Sequence, residues 1–155
     1  MTELTLTTPE TVARAQEILG SHRRELERAG VPGSLTLLGG SSLVGLLTKG
    51  DVDLHLRVPA DAFPVAVARL LDSYEPANRE IWTPAFVTVE RPGDPDVGIA
   101  VTAIGSEHDA RFSRTWAVMR ASESARLRYN DIKRRRPGDE VAKSRFFDEL
   151  LADAG

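Results

Sequence analysis

The chain has 155 residues, 20 Lys and Arg against 23 Asp and Glu, a formal net charge of −3 and a sequence pI near 5.6. With 41% hydrophobic and 28% charged residues it has the balance of a soluble globular protein, and its length suits one domain spanning residues 1–155. The acidic balance argues against nucleic acid or an anionic membrane as a global partner, and the lack of cysteine excludes disulfides, thiolate zinc sites and cysteine nucleophiles.

No apolar run approaches the roughly 20 residues that span a bilayer. The first ten residues, MTELTLTTPE, have neither the basic nor the apolar region of a secretory signal. A cytoplasmic location without a membrane partner is the expectation.

In chain order, residues 8–29 read as a helix. Thr8 caps it, Pro9 suits its first turn, Glu10 complements the dipole, and Val12, Ala15, Ile18, Leu19 and Leu26 trace an apolar stripe that Gly30 and Pro32 end. Ser34–Leu38 reads as a short strand running into Gly39-Gly40, and Ser42–Thr48 as a helical turn or two. Asp51–Val58 alternates strictly, with Val52, Leu54, Leu56 and Val58 on one face and Asp51, Asp53, His55 and Arg57 on the other. Residues 60–74 have helical spacing. Ile81-Trp82, Phe86–Glu90 and Val97–Ile104 read as strands, the last two joined as an antiparallel pair by Arg91-Pro92-Gly93-Asp94-Pro95. Residues 107–120, 122–135 and 139–152 read as helices, with Pro137-Gly138 breaking the last two apart. The order predicts an α+β fold: a mixed sheet flanked by helices, with a helical C-terminal part.

The chemistry concentrates in GGSSLVGLLTKGDVDLHL, residues 39–56. Asp51 and Asp53 leave one face of a strand, and like charges that close repel unless a cation lies between them. Mg²⁺ takes one or two carboxylates together with substrate phosphates. Gly39 and Gly40 allow a sharp bend close to a ligand, and Ser41 and Ser42 can cap a following helix whose free amides would seat phosphate. A phosphate seat beside a metal-binding pair is the apparatus of phosphoryl or nucleotidyl transfer. Lys49 adjoins the pair and either meets a triphosphate or is a solvated loop lysine. His55 shares the acidic face as a substrate contact or a bystander. The aromatic residues Trp82, Trp116, Phe86, Phe112 and Phe147 read as core.

The stretch resembles the glycine-serine turn and Asp-x-Asp of the DNA polymerase β-like nucleotidyltransferase superfamily, and within it the GrpB family. Against that family's GSTSVPGLAAKPIIDI, Gly39, Ser42, Gly45, Leu46, Lys49 and Asp53 agree without a gap. Phe112, Tyr129, Lys133, Lys143, Ser144 and Phe146 fit its C-terminal pattern FRDYLRxxPExAxxYxxLKxxL and AKxxF, so the similarity runs from about residue 35 onward. The chain departs at Gly40 and Val44, where the family has Ser and Pro. It departs again at Asp51, where many members are apolar, which restores a full Asp-x-Asp.

The resemblance implies a protein that moves a nucleoside monophosphate from an NTP to a small-molecule acceptor. Asp51 and Asp53 would be the catalytic metal ligands for Mg²⁺. Gly39, Gly40, Ser41 and Ser42 would seat the phosphates, with Lys49, Lys133 and Lys143 neutralising charge. Superfamily enzymes add a third carboxylate as base. The strand 97–104 contains none, and Glu90 is the nearest candidate. Activity therefore stays open, with an inactive nucleotide- or phosphometabolite-binding module as the alternative. A nucleic-acid role for the basic run 133–136 is the weakest reading, since cations also suit a helix C-terminus. A homo-oligomer is left open, because small transferases can share an acceptor pocket between subunits.

Overall fold

The computed structural model describes residues 3–154; Met1, Thr2 and Gly155 of the N-terminal and domain readings lie outside the described residues. The elements are β1 (Thr5–Leu6), α1 (Pro9–Arg28), β2 (Ser34–Leu38), β3 (Leu47–Thr48), β4 (Val52–Val58), α2 (Phe63–Leu70), β5 (Glu75–Ala77), β6 (Phe86–Arg91), β7 (Val97–Ala103), α3 (Glu107–Ala121), α4 (Glu123–Arg135) and α5 (Glu140–Ala154). Five strands form one mixed sheet in the order β2-β4-β7-β6-β5, parallel only between β4 and β7; β1 and β3 form a separate antiparallel pair. The fold class is α+β.

Strict alternation in β4 decides the layering. Val52, Leu54, Leu56 and Val58 face a core closed by Ala15, Leu19 and Leu26 of α1 and by Phe63, Ala66 and Leu70 of α2. Each fully buried aliphatic side chain there contributes about 1.5–3 kcal/mol. The opposite face meets the C-terminal helices, where Leu38 and Leu46 join Trp116, Met119, Ala125, Tyr129, Phe146 and Leu150 in a second core. Trp116 and Phe86 are buried and Phe112 packs against the second core, consistent with the structural reading of the aromatics.

Helix ends follow local chemistry. Thr8 accepts from the Thr11 amide at 3.2 Å, Ser106 from Asp109 at 3.3 Å, and Ser122, the residue joining α3 to α4, from Ala125 at 3.1 Å.

Two sequence expectations fail. Ser42–Thr48 forms no helix: the Gly45 amide bonds Thr7 O at 2.9 Å, Leu47–Thr48 pairs with β1, and Asn130 of α4 takes the Leu47 amide and the Gly45 carbonyl, so much of the segment's backbone bonds to distant residues. Ile81-Trp82 is not a strand. Asn78 adopts a left-handed φ of 47° and starts a 3-10 turn over Arg79–Ile81. The strand lies earlier, at Glu75–Ala77, where it pairs with Glu90–Thr88. The helix expected over 60–74 is likewise shorter, a 3-10 turn at Ala60–Ala62 leading into α2.

Candidate functional site

Leu38 pairs with Asp53, so the chain leaving β2 passes over the Asp53 side chain. Gly39 does so with φ +87°, and a Cβ there would collide with Asp53 Oδ2 and lie 2.9 Å from its Cβ. At Gly40 a Cβ would lie 2.6 Å from Leu47 O and 3.2 Å from the Lys133 ammonium. The two glycines are required for different reasons: an acid packs under the first, and the Leu47 carbonyl, with the Lys133 ammonium beside it, against the second.

The serines act differently from the expectation. Ser41 Oγ donates to Asp51 O at 2.7 Å and lies 2.9 Å from Thr48 Oγ1, while Ser42 Oγ donates to Gly39 O at 2.6 Å. Their hydroxyls tie the bend to itself and to the acidic segment, and with no helix following they cap nothing. The amides of Gly40 and Ser41, both buried residues, meet no acceptor among the described residues. Buried amides are almost always paired, so these two are donors that the bend can offer an anion.

Charges gather beside this bend. Asp51 precedes β4 and is half-buried, with Lys49 Nζ 3.9 Å from its Oδ2. Burial pushes the Asp53 carboxyl up to about 6, the Asp51 charge adds to the rise, and Lys143, Lys133 and Lys49 oppose it. The Lys133 ammonium is held below its ordinary value by burial first and Lys143 second, against the pull of both aspartates. It donates to Leu47 O at 3.1 Å and sits 4.9 Å from the centre of the Tyr129 ring. The Tyr129 hydroxyl is pushed up by burial and then by Asp53 and Asp51. The predicted bend, acids and lysines thus converge: Asp53 comes from β4, Asp51 and Lys49 from the segment just before it, Lys133 from α4 and Lys143 from α5.

The donor set suits a hard cation, since two neighbouring carboxylates, one of them costly to ionise, offer oxygen ligands that a divalent ion would neutralise. A third acid is not beside them. Among the described residues no three His, Cys, Asp or Glu side chains gather in a group able to hold a metal. Asp53 pairs across to Gly98 and Gly98 to Glu90, so Glu90 stands in the same row and on the same face, but two strands away, about 10 Å at ordinary strand spacing.

His55 is buried under α3, its Nε2 2.8 Å from Thr102 Oγ1 and its ring 5.3 Å from that of Phe112. Burial holds its imidazole down to about 4, so it is neutral packing and not a substrate contact. Arg57, next on that face, forms a two-pronged bond to Asp109 at 2.6 and 2.9 Å. Of the basic run, Arg135 and Arg136 pair with Asp131 and Asp139, Arg134 is exposed, and Lys133 is the member at the bend.

Sequence reasoning missed two residues. Thr7 Oγ1 donates to Gly40 O at 2.6 Å. Asn130, buried on α4, accepts from the Leu47 amide and donates to Gly45 O, both at 2.8 Å. Neither has a motif; the signal available for Asn130 was its place between Tyr129 and Lys133, in the stretch that carries the resemblance.

No family model and no curated protein sequence matches the chain. Among solved structures, the conserved protein GrpB from Enterococcus faecalis superposes with a TM-score of 0.74, over 98% of this chain and 96% of its own, at 12% identity. The chain therefore has the GrpB fold. Cid1 in complex with its short product ApU overlaps at a TM-score of 0.48, over 74% of this chain and 35% of its own at 12% identity. Cid1 with the UTP analog UMPNPP overlaps at 0.49, over 77% and 38%, at 11% identity. At that degree of overlap neither says anything about the site. Among the described residues no helix is long and apolar enough to cross a membrane.

Proposed function

We propose that the chain is a GrpB-like member of the nucleotidyltransferase superfamily, and that its cleft binds the phosphates of a nucleotide or phosphorylated metabolite together with Mg²⁺. Asp51 and Asp53 hold the ion. The amides of Gly40 and Ser41 and the ammonium groups of Lys49, Lys133 and Lys143 receive the phosphates. The ion supplies charge neutralisation to the phosphate oxygens when bound; Asp53 waits for it as a carboxylate that burial makes costly to ionise. The observation that carries the reading is the contact of the bend with both signs of charge: Gly39 lies on the Asp53 carboxylate and Gly40 against Lys133.

Binding is favoured over transfer. Beside Asp53 on the neighbouring strand stands Gly98, so the position nearest the pair carries no base to take a proton from an attacking hydroxyl. Transfer to a small-molecule acceptor is the second reading, favoured by the complete Asp-x-Asp.

Titration calorimetry with Mg²⁺ and each NTP tests the binding. The native chain is expected to bind, with the Mg²⁺-dependent part lost in Asp53→Asn and the phosphate part weakened in Lys133→Met. No heat from any NTP with Mg²⁺ overturns the reading. Incubation with labelled NTPs and an acceptor panel separates the two readings: label transfer that requires Asp51 establishes transfer.

A further inference from the structure

The bend between β2 and β3 has no helix to set its shape; beyond the bonds that Ser42 makes to Gly39, it is held from outside. On one side Thr7 supplies three bonds: its hydroxyl to Gly40 O at 2.6 Å, its amide to Leu46 O at 2.8 Å, and its carbonyl to the Gly45 amide at 2.9 Å. On the other side α4 supplies three more. Asn130 donates to Gly45 O and accepts from the Leu47 amide, and Lys133, one turn on, donates to Leu47 O.

Asn130 is 4% exposed, and its carboxamide reads the backbone of residues 45–47 as a neighbouring strand would, one donor to a carbonyl and one acceptor to an amide. Only a side chain with both functions satisfies the pair. Lys133 shares its helix face and rests one donor on the adjacent carbonyl, which places its ammonium 3.2 Å from where a Gly40 Cβ would be. Without the Asn130 clamp, a single long and flexible lysine would have to hold α4 against the bend, at the cost of its own rotamer freedom.

The geometry points to Asn130 as a positioning residue: its two bonds to the bend set the Lys133 ammonium where a phosphate would meet it, and phosphate affinity depends on Asn130 through Lys133. This rests on the phosphate reading above, and it extends the site to a residue that touches neither ligand nor metal.

The test is a double-mutant cycle on binding of inorganic pyrophosphate, followed by calorimetry without added metal. Asn130→Ala is expected to weaken binding about tenfold, the scale of one misplaced charge-assisted hydrogen bond. In a Lys133→Met background the same change is expected to cost less than about twofold, since the group it positions is gone. Equal losses in both backgrounds would show a structural effect and overturn the proposal. Asn130→Ser serves, with the same two outcomes, if the alanine variant does not fold. If the native chain binds no pyrophosphate, the phosphate reading fails. The positioning role is then read from the Lys133 ammonium by NMR titration: it moves toward its ordinary value in Asn130→Ala if Asn130 holds it against the bend, and an unchanged titration refutes that hold.

Discussion

Asp53→Asn should make the protein more stable while ending its affinity for Mg²⁺. The wild-type carboxyl is raised from 3.8 to about 6, chiefly by burial and next by Asp51. A shift of about 2 units corresponds to about 3 kcal/mol between the protonation states. Because the native value is the higher one, the native chain holds this proton more tightly than the unfolded chain does. The associated stability is full below about pH 4 and is lost as the pH rises through about 6. Above that, the ionised form costs the native state about 3 kcal/mol, and the neutral, near-isosteric Asn avoids this cost. For a chain of this length, with an unfolding entropy near 0.3 kcal/mol/K, the gain amounts to an increase in Tm of about 9 °C near pH 8. Thermal and urea melts of both proteins across about pH 4–8 measure it. The difference between them should be small at the acid end, grow through about pH 6 and then level off. Added Mg²⁺ should raise the wild-type Tm alone. A variant less stable than wild type near pH 8, or a difference curve without pH dependence, would refute the account of Asp53 as a strained, cation-ready carboxylate.

Gly39→Ala forces a side chain into a left-handed backbone and onto the Asp53 carboxylate. A loss of at least about 1–2 kcal/mol is expected in urea melts, together with loss of Mg²⁺ binding. Gly98→Asp has room for its first side-chain atom, since a Cβ there meets only Asp53 Oδ1, at 3.6 Å, and its added like charge is expected to cost stability until a cation binds. It supplies the missing acid, and Mn²⁺ affinity followed by EPR should rise about tenfold over wild type, the scale of one added charged ligand. Asp109→Ala strips the partners from Arg57, the Gly105 amide and Thr102, and should cost about 2 kcal/mol near neutral pH, the scale of charge-assisted hydrogen bonds to a part-exposed arginine. The Asp109 carboxyl is held down to about 2, first by its bond to Arg57. Its contribution is therefore present above about pH 4 and fades as the pH falls through about 2, so the two proteins should converge in acid unfolding.

The elements that could be read from the sequence are those whose own pattern repeats. β4 alternates over seven residues, α1 carries an apolar stripe and a Thr8 cap, and both stand where expected. β1, β3 and β5 have two or three residues each, too few for a period, and exist because a distant partner supplies their hydrogen bonds. Ser42–Thr48 shows the same physics in reverse: its composition allowed a helical turn, but Thr7 claims the Gly45 amide and the Leu46 carbonyl, and Asn130, 83 positions on, claims the Leu47 amide. The acids and the bend were legible because both lie in one stretch. Lys133 and Lys143 were tied to the site through family resemblance, since the basic run that contains Lys133 reads equally well as cations at a helix C-terminus and nothing around Lys143 marks it. Asn130 and Thr7 were not legible, because a polar side chain that satisfies remote backbone has no local signature.

Asp51 and Asp53 belong to the β4 segment of the sheet, whereas Lys133 and Lys143 belong to α4 and α5, the helices packed over that face in the second core. A molecule lodged between them would fasten the C-terminal helices to the sheet, so its arrival should be felt well beyond the groups it touches. Slower amide exchange and greater protease resistance along α4 and α5, at unchanged secondary-structure content, would be the signature of that fastening.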